Sequence, residues 1–330
     1  MKLDKKDNQI LYELDRNARQ PLTWIAKKVR LKRESVLYRL KRYLKEGLIR
    51  NYLTVVDMTK LGFVHYKIYV KLHNITEKQE KEIIKDLCKN PFVSWVASCD
   101  GAYSLIFAIK ARTMVEVRDV LKKISNRYWK FFKEQQISTI VSANHFYRDY
   151  LIDKKATTER KIEWGGESEK IKLDKVNIEI LDSLCESSRI SAVGISSKLN
   201  ISVDAVIQRI KKLEKAHLIE HYMLWLDVGK LKGIFYKVLV KLHNLNNEKE
   251  KKLYSFCLEN PSIVYIVNCL GDWQFEMDIE LENVQEFRKL MRNFLNKFSE
   301  VVSDYSALNI YNEYKYRFFE KGIFKNNEVL

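Results

Sequence analysis

Lys32, Arg33, Arg39 and Arg42 fall within LKRESVLYRLKRYLKEGLIRNY, Leu31 to Tyr52, a stretch with seven Lys or Arg against two Glu. Val36, Leu40 and Leu44 recur at helical spacing and are expected to face a core. That leaves Arg33, Ser35, Tyr38, Arg39 and Arg42 on the outer surface. These are side chains suited to nucleic acid. Arg bonds guanine bidentately in the major groove, Lys and Tyr suit phosphates, and Glu34 can accept from a base amino group. A solvated charged face has the same composition, so the surroundings decide. Residues 1–60 hold sixteen basic and seven acidic side chains, a net of +9 (16 − 7).

A paler version, ISVDAVIQRIKKLEKAHLIEHY, runs from Ile201 to Tyr222. Ser202 is placed to cap its helix. The outward set is Val203, Asp204, Ala205, Gln208, Arg209 and Lys212, where Gln208 suits adenine and Arg209 a phosphate. Residues 171–230 carry nine basic and eight acidic side chains, a net of +1 (9 − 8). Fewer neutralised phosphates mean less counterion release, hence weaker binding. Two uses are open for this module, a second and weaker DNA reader or a packing partner; the first is favoured.

Other chemistry is sparse. There is no Gly-rich phosphate loop, nucleophile elbow or zinc spacing, so no catalytic residue, cofactor or metal ligand is assigned. His217 and His221 have ligand spacing, but Leu218-Ile219 between them reads as the start of a strand, which puts the pair on a bend. Cys99 and Cys269 read as small apolar packing groups, and His73 and His243 as strand ends. The chain of 330 residues is basic overall, +16 (59 − 43), which favours a polyanionic partner. Five cysteines without a C-x-x-C, no run of 18 apolar residues and no signal peptide lead to the expectation of a cytoplasmic protein.

These residues are organised by a duplication. Offset by 170 positions (174 − 4), Leu3-Asp4-Lys5 meets Leu173-Asp174-Lys175, YKIYVKLHN from Tyr66 meets YKVLVKLHN from Tyr236, and Gly101 meets Gly271. Each copy opens with helical periodicity. The first holds DKKDNQILYELDRNA, then PLTWIAKKV, then a helix from about Arg33 to Lys45, with LIRNYLTVV after Gly47 as a short β-wing. The period then changes to two, and strands and helices follow in the order β-α-β-β-α-β. The expected fold is α+β: two tandem copies of a winged helix-turn-helix followed by a ferredoxin-like domain. The boundaries are 1–60, 61–151, a charged linker 152–172 with one anchoring Trp164, 173–230, 231–320 and a tail 321–330.

Helix-turn-helix plus βαββαβ, with LDKKDNQILYEL, LKEGLIRNYLTVVDMTKLGF and CLGDWQFEMDIEL, resembles the Lrp/AsnC (feast/famine) transcriptional regulators. The resemblance spans nearly the whole chain twice. It implies DNA binding and an amino acid or related metabolite as effector near the turn after the second strand of each α/β domain. The matching residues are Asp100, Gly101 and Tyr103 in copy one, and Gly271, Asp272 and Trp273 in copy two. Members of that family usually carry one unit and pair it with another chain. Two fused units imply an intrachain pseudo-dimer or a homo-oligomer, a dimer of tandem chains. Siroheme decarboxylases are similar to Lrp/AsnC proteins and form the alternative reading, a fused two-unit tetrapyrrole enzyme. That resemblance implies a His after the wing, where this chain has Asp57 and Asp227.

Overall fold

The computed structural model describes residues 2–152, 161–167 and 169–324. In copy one, α1 (Lys5–Arg16) begins at Asp4, whose carboxylate accepts from the Asp7 amide while Asp7 bonds back to the Asp4 amide. Helix α2 (Leu22–Val29) ends at Arg30, which adopts φ +54°, and the tight turn delivers the chain into α3 (Arg33–Lys45). Tyr43, not Leu44, fills the third core position of α3. Leu44 is exposed because the helix meets α1 one position earlier, where the Tyr43 hydroxyl reaches Asp7.

The two wing strands find each other. Strand β1 (Ile49–Val56) pairs antiparallel with β7 (Ile219–Leu226), which follows the helices α6 (Lys175–Glu186), α7 (Ala192–Leu199) and α8 (Val203–Lys215) of copy two. Neither wing forms a sheet with its own domain.

The α/β halves also join. Copy one supplies β2 (Val64–Leu72), α4 (Glu77–Lys89), β3 (Val93–Asp100), β4 (Leu105–Ala111), α5 (Met114–Tyr128) and β5 (Phe132–Phe146). After a single helical turn, α9 (Val228–Leu231), copy two supplies β8 (Ile234–Leu242), α10 (Asn247–Glu259), β9 (Ile263–Leu270), β10 (Phe275–Leu281), α11 (Val284–Lys297) and β11 (Val302–Tyr316). The strands run β2-β4-β3-β11-β8-β10-β9-β5, and β5 also pairs with β2, so eight strands close on themselves. Two fifteen-residue strands make the closure. β5 lies on β2 up to Thr139 and on β9 beyond it, while β11 lies on β8 up to Asn309 and on β3 beyond it. Closure removes the open edge that an unpaired unit presents to solvent. The four helices α4, α5, α10 and α11 cover the outer face, and the inner face merges with the cores of the helical domains.

One further expectation is corrected. The segment 152–172 is not only a tether: β6 (Lys161–Gly165) pairs with the end of β5, and Trp164 is buried against His65 and Phe318. Its alternating Ile162 and Trp164 were hidden by flanking charge. Residues 153–160 and 168 lie outside the described residues. Strands β4 and β10 begin two residues after Tyr103 and Trp273, whose rings turn in to pack on Tyr69.

Candidate nucleic-acid interface

Helix α3 presents Lys32, Arg33 and Tyr38 to solvent, Tyr38 with 70% of its surface exposed, and Ser35 half-buried between them. Arg39 and Arg42 are held back. Arg39 bonds Asp4 at 2.9 Å and also Asp7, and Arg42 reaches Asp7 at 2.8 Å. Burial pushes the Asp7 carboxyl up, but bonds from the Asp4 amide, Tyr43 and Arg39 outweigh it and keep the group below the usual carboxylate range. Asp7 thus pins α3 to α1, and two of the expected base-reading arginines double as its partners.

Copy two repeats half of this device. Arg209 bonds Asp174 and, at 2.9 Å, Asn177, which stands where copy one has Asp7. Gln208 and Lys212 are exposed, and the Ser202 hydroxyl is engaged as the cap of α8, accepting from the Ala205 amide at 3.2 Å.

What sequence reasoning missed is how the two helical domains hold one another. The contacts are reciprocal at the 170-residue offset. The Ala18 amide donates to the Tyr222 carbonyl and the Ser188 amide to the Tyr52 carbonyl, both at 2.8 Å. Arg19 lies over the Tyr222 ring and bonds the Ile190 carbonyl at 2.8 Å, while Arg189 lies over Tyr52 and bonds the Ala18 carbonyl at 2.6 Å. Lys60 bonds the Ala216 carbonyl at 3.1 Å and Lys230 the Glu46 carbonyl at 2.7 Å, each a cation on the C-terminus of the other copy's recognition helix. The matching of Arg19 with Arg189 and Tyr52 with Tyr222 in the repeat was the available signal.

The expected effector residues meet across the same pseudo-axis. Tyr103 and Trp273 stand 6.2 Å apart and both pack on Tyr69, with Trp273 buried and bonded to Glu276 at 3.0 Å. Asp272 pairs with Lys241 at 2.8 Å and Asp100 accepts from Tyr311 at 2.9 Å. Their aromatic side chains serve as inter-copy core. Asp57 and Asp227 cap the turns after the wings, accepting from the Thr59 amide at 3.0 Å and the Lys230 amide at 3.2 Å. His221 is half-buried on β7 whereas His217 is exposed, and no group of three or more metal-binding side chains occurs among the described residues. No described helix is long and apolar enough to cross a membrane.

Residues 3–44 match the AsnC-type helix-turn-helix domain, and residues 173–220 match a winged helix-turn-helix DNA-binding domain. The first of its two helix-turn-helix units is thus AsnC-type. Among relatives of one Lrp/AsnC unit, the HTH-type transcriptional regulator LrpC of Bacillus subtilis is 29% identical over 129 residues, 39% of this chain and 85% of its own length. The proline dehydrogenase transcriptional activator of Rhodobacter capsulatus is 27% identical over 120 residues, 36% of this chain and 78% of its own. The tandem arrangement itself is similar to the crystal structure of the siroheme decarboxylase NirDL. The two superpose with a TM-score of 0.58 at 11% identity, over 96% of this chain and 94% of that one, a likeness of fold.

Proposed function

We propose that this chain is a tandem Lrp/AsnC-type, sequence-specific DNA-binding transcriptional regulator in which one polypeptide supplies both reading heads. The observation that carries the reading is the reciprocal clasp of the two helix-turn-helix domains, with exposed Lys32, Arg33 and Tyr38 on α3. α3 enters a major groove and makes the stronger contact. Gln208 and Lys212 on α8 make the lesser one, in keeping with net charges of +9 and +1 for the two regions. With both heads on one face of the duplex, half-sites lie ~34–36 Å apart or at a multiple of that distance.

Selection of bound sequences from a random DNA pool at two salt concentrations tests this. Two unequal half-sites are expected. Lys32→Ala with Arg33→Ala should weaken binding more than Gln208→Ala with Lys212→Ala and should lower the salt slope by roughly two. Enrichment of no motif, or equal losses from the two double variants, refutes the asymmetric reader.

A second reading, tetrapyrrole chemistry, is favoured by the fold likeness to NirDL over the whole chain. Against it stand the capping roles of Asp57 and Asp227 and the basic α3. Its discriminator is direct: a Soret band on incubation with a tetrapyrrole.

A further inference from the structure

Between the barrel interior and the paired wings lies a cavity of about 80 Å³. At ~10–15 Å³ per water it accommodates roughly five to eight waters, or a ligand of similar heavy-atom count. Equivalent positions of the two copies face each other across it: His65 and Phe235, Lys67 and Lys237, Trp95 and Tyr265. The acids do not follow this symmetry. Asp278, Glu280 and Glu313 all come from copy two, where copy one has Ala108, Lys110 and Ala143.

The lining cations are already matched. Lys67 bonds Glu276, Lys237 bonds Asp278, Arg148 bridges Asp15 at 2.6 Å and Glu280 at 2.8 Å, and Arg317 bonds Asp182 at 2.8 Å. Glu313 is the lining carboxylate without an ion pair among the described residues. One of its oxygens accepts from Trp95 Nε1 at 2.6 Å and the other from Trp225 Nε1 at 3.0 Å. The Trp225 ring in turn packs on Tyr316. Facing the chamber from β2 is His65, 4% exposed, whose Nε2 has no partner among the described residues. Burial and the nearby Lys110 and Lys67 push that imidazole down to about 3, so it stays neutral. Glu313 also lines a neighbouring pocket with Arg50, Asp227 and Gly233.

We propose that this cavity binds a small organic cation, an alkyl or quaternary ammonium, held by Glu313 and the Tyr316 ring, since Lys237 already lies over the Trp95 ring at 5.4 Å and Arg50 over the Trp225 ring at 5.9 Å. Burial pushes the Glu313 carboxyl up, and the nearby Arg50 guanidinium is bonded to the Glu313 carbonyl and to Asp227 rather than to this carboxyl. A desolvated ammonium supplies the ion pair and gains the Tyr316 quadrupole. An anion meets Glu313 and finds every lining cation engaged. The neutral His65 accepts an N–H where the ligand has one.

Titration of the full-length protein without DNA tests the site, read by calorimetry and by fluorescence of the lining tryptophans. The probes are tetramethylammonium and n-butylammonium, with tert-butanol as the neutral match and pivalate as the anionic one. Saturable binding of the cations, roughly tenfold or more tighter than tert-butanol, is expected, with none for pivalate. Glu313→Gln, which keeps an acceptor for the indoles, should weaken the cations roughly tenfold or more. The site is overturned by a preference for pivalate, equal affinity for the neutral match, no saturable binding, or full cation affinity in the folded Gln variant. If that variant does not fold, the series on the unaltered protein decides. Absence of DNA makes the result independent of the regulator reading.

Discussion

Asp7 shows how one buried carboxylate assigns work to its neighbours. It takes Arg39, Arg42 and the Tyr43 hydroxyl at once, so α3 is fixed to α1 before any DNA arrives. Asp7→Ala strands the buried Tyr43 hydroxyl and is expected to cost about 1–3 kcal/mol in urea unfolding, the desolvation penalty of an orphaned buried polar group. Because the Asp7 carboxyl titrates below its ordinary value, its contribution is present above the unfolded carboxylate range and lost as pH falls through the folded one. Arg39→Ala reports mainly on stability and Arg33→Ala mainly on DNA, since the Arg33 side chain is half exposed and pairs only loosely, 3.8 Å, with Glu34.

At the scale of elements, the turn glycines are spacers between copies. A Cβ on Gly101 would stand 3.0 Å from the Ala307 carbonyl, and one on Gly271 would stand 2.9 Å from the Ile137 carbonyl. Ala307 and Ile137 are themselves equivalent, and they lie on the two long strands close to where each changes partner. Gly271→Ala is expected to destabilise by about 1–3 kcal/mol through overpacking. Gly101→Ala should cost more, since its φ of +123° also strains an L-residue. Thermal unfolding of the two variants checks the order; a neutral Gly271→Ala would return these turns to ligand binding.

For the whole molecule, fusion permits what an identical pair cannot have, an interior with different charges on its two sides. Lys110 is fully buried and donates to the Phe318 carbonyl at 3.2 Å, where copy two has Glu280 bonded to Arg148. Burial pushes the Lys110 ammonium down to about 7, with Glu320 partly opposing. An unfolded lysine titrates near ~10.4, so between these values the unfolded chain binds a proton that the folded chain does not. Stability conferred at this site therefore rises with pH from about 7 into the alkaline range. Lys110→Met should flatten that rise in chemical unfolding across neutral to alkaline pH. An unchanged slope would mean that the lysine stays charged in the fold.

The amino-acid sequence by itself determined the duplication, the helix-turn-helix and βαββαβ order of each copy, and the unequal charge of the two recognition helices. Each of these is a local property: periodicity, capping residues such as Asp4 and Ser202, and counts of Lys and Arg within a window. Only the tertiary structure decided that the wings pair with each other, that β5 and β11 pass between copies, and that Trp164 belongs to an added strand. It also decided that Arg39 answers to Asp7 and that the Glu313 carboxyl accepts from two indoles. Those outcomes join residues far apart in sequence. Their energy comes from desolvation and close packing, which a linear pattern of residue types does not contain until the partners have been brought together.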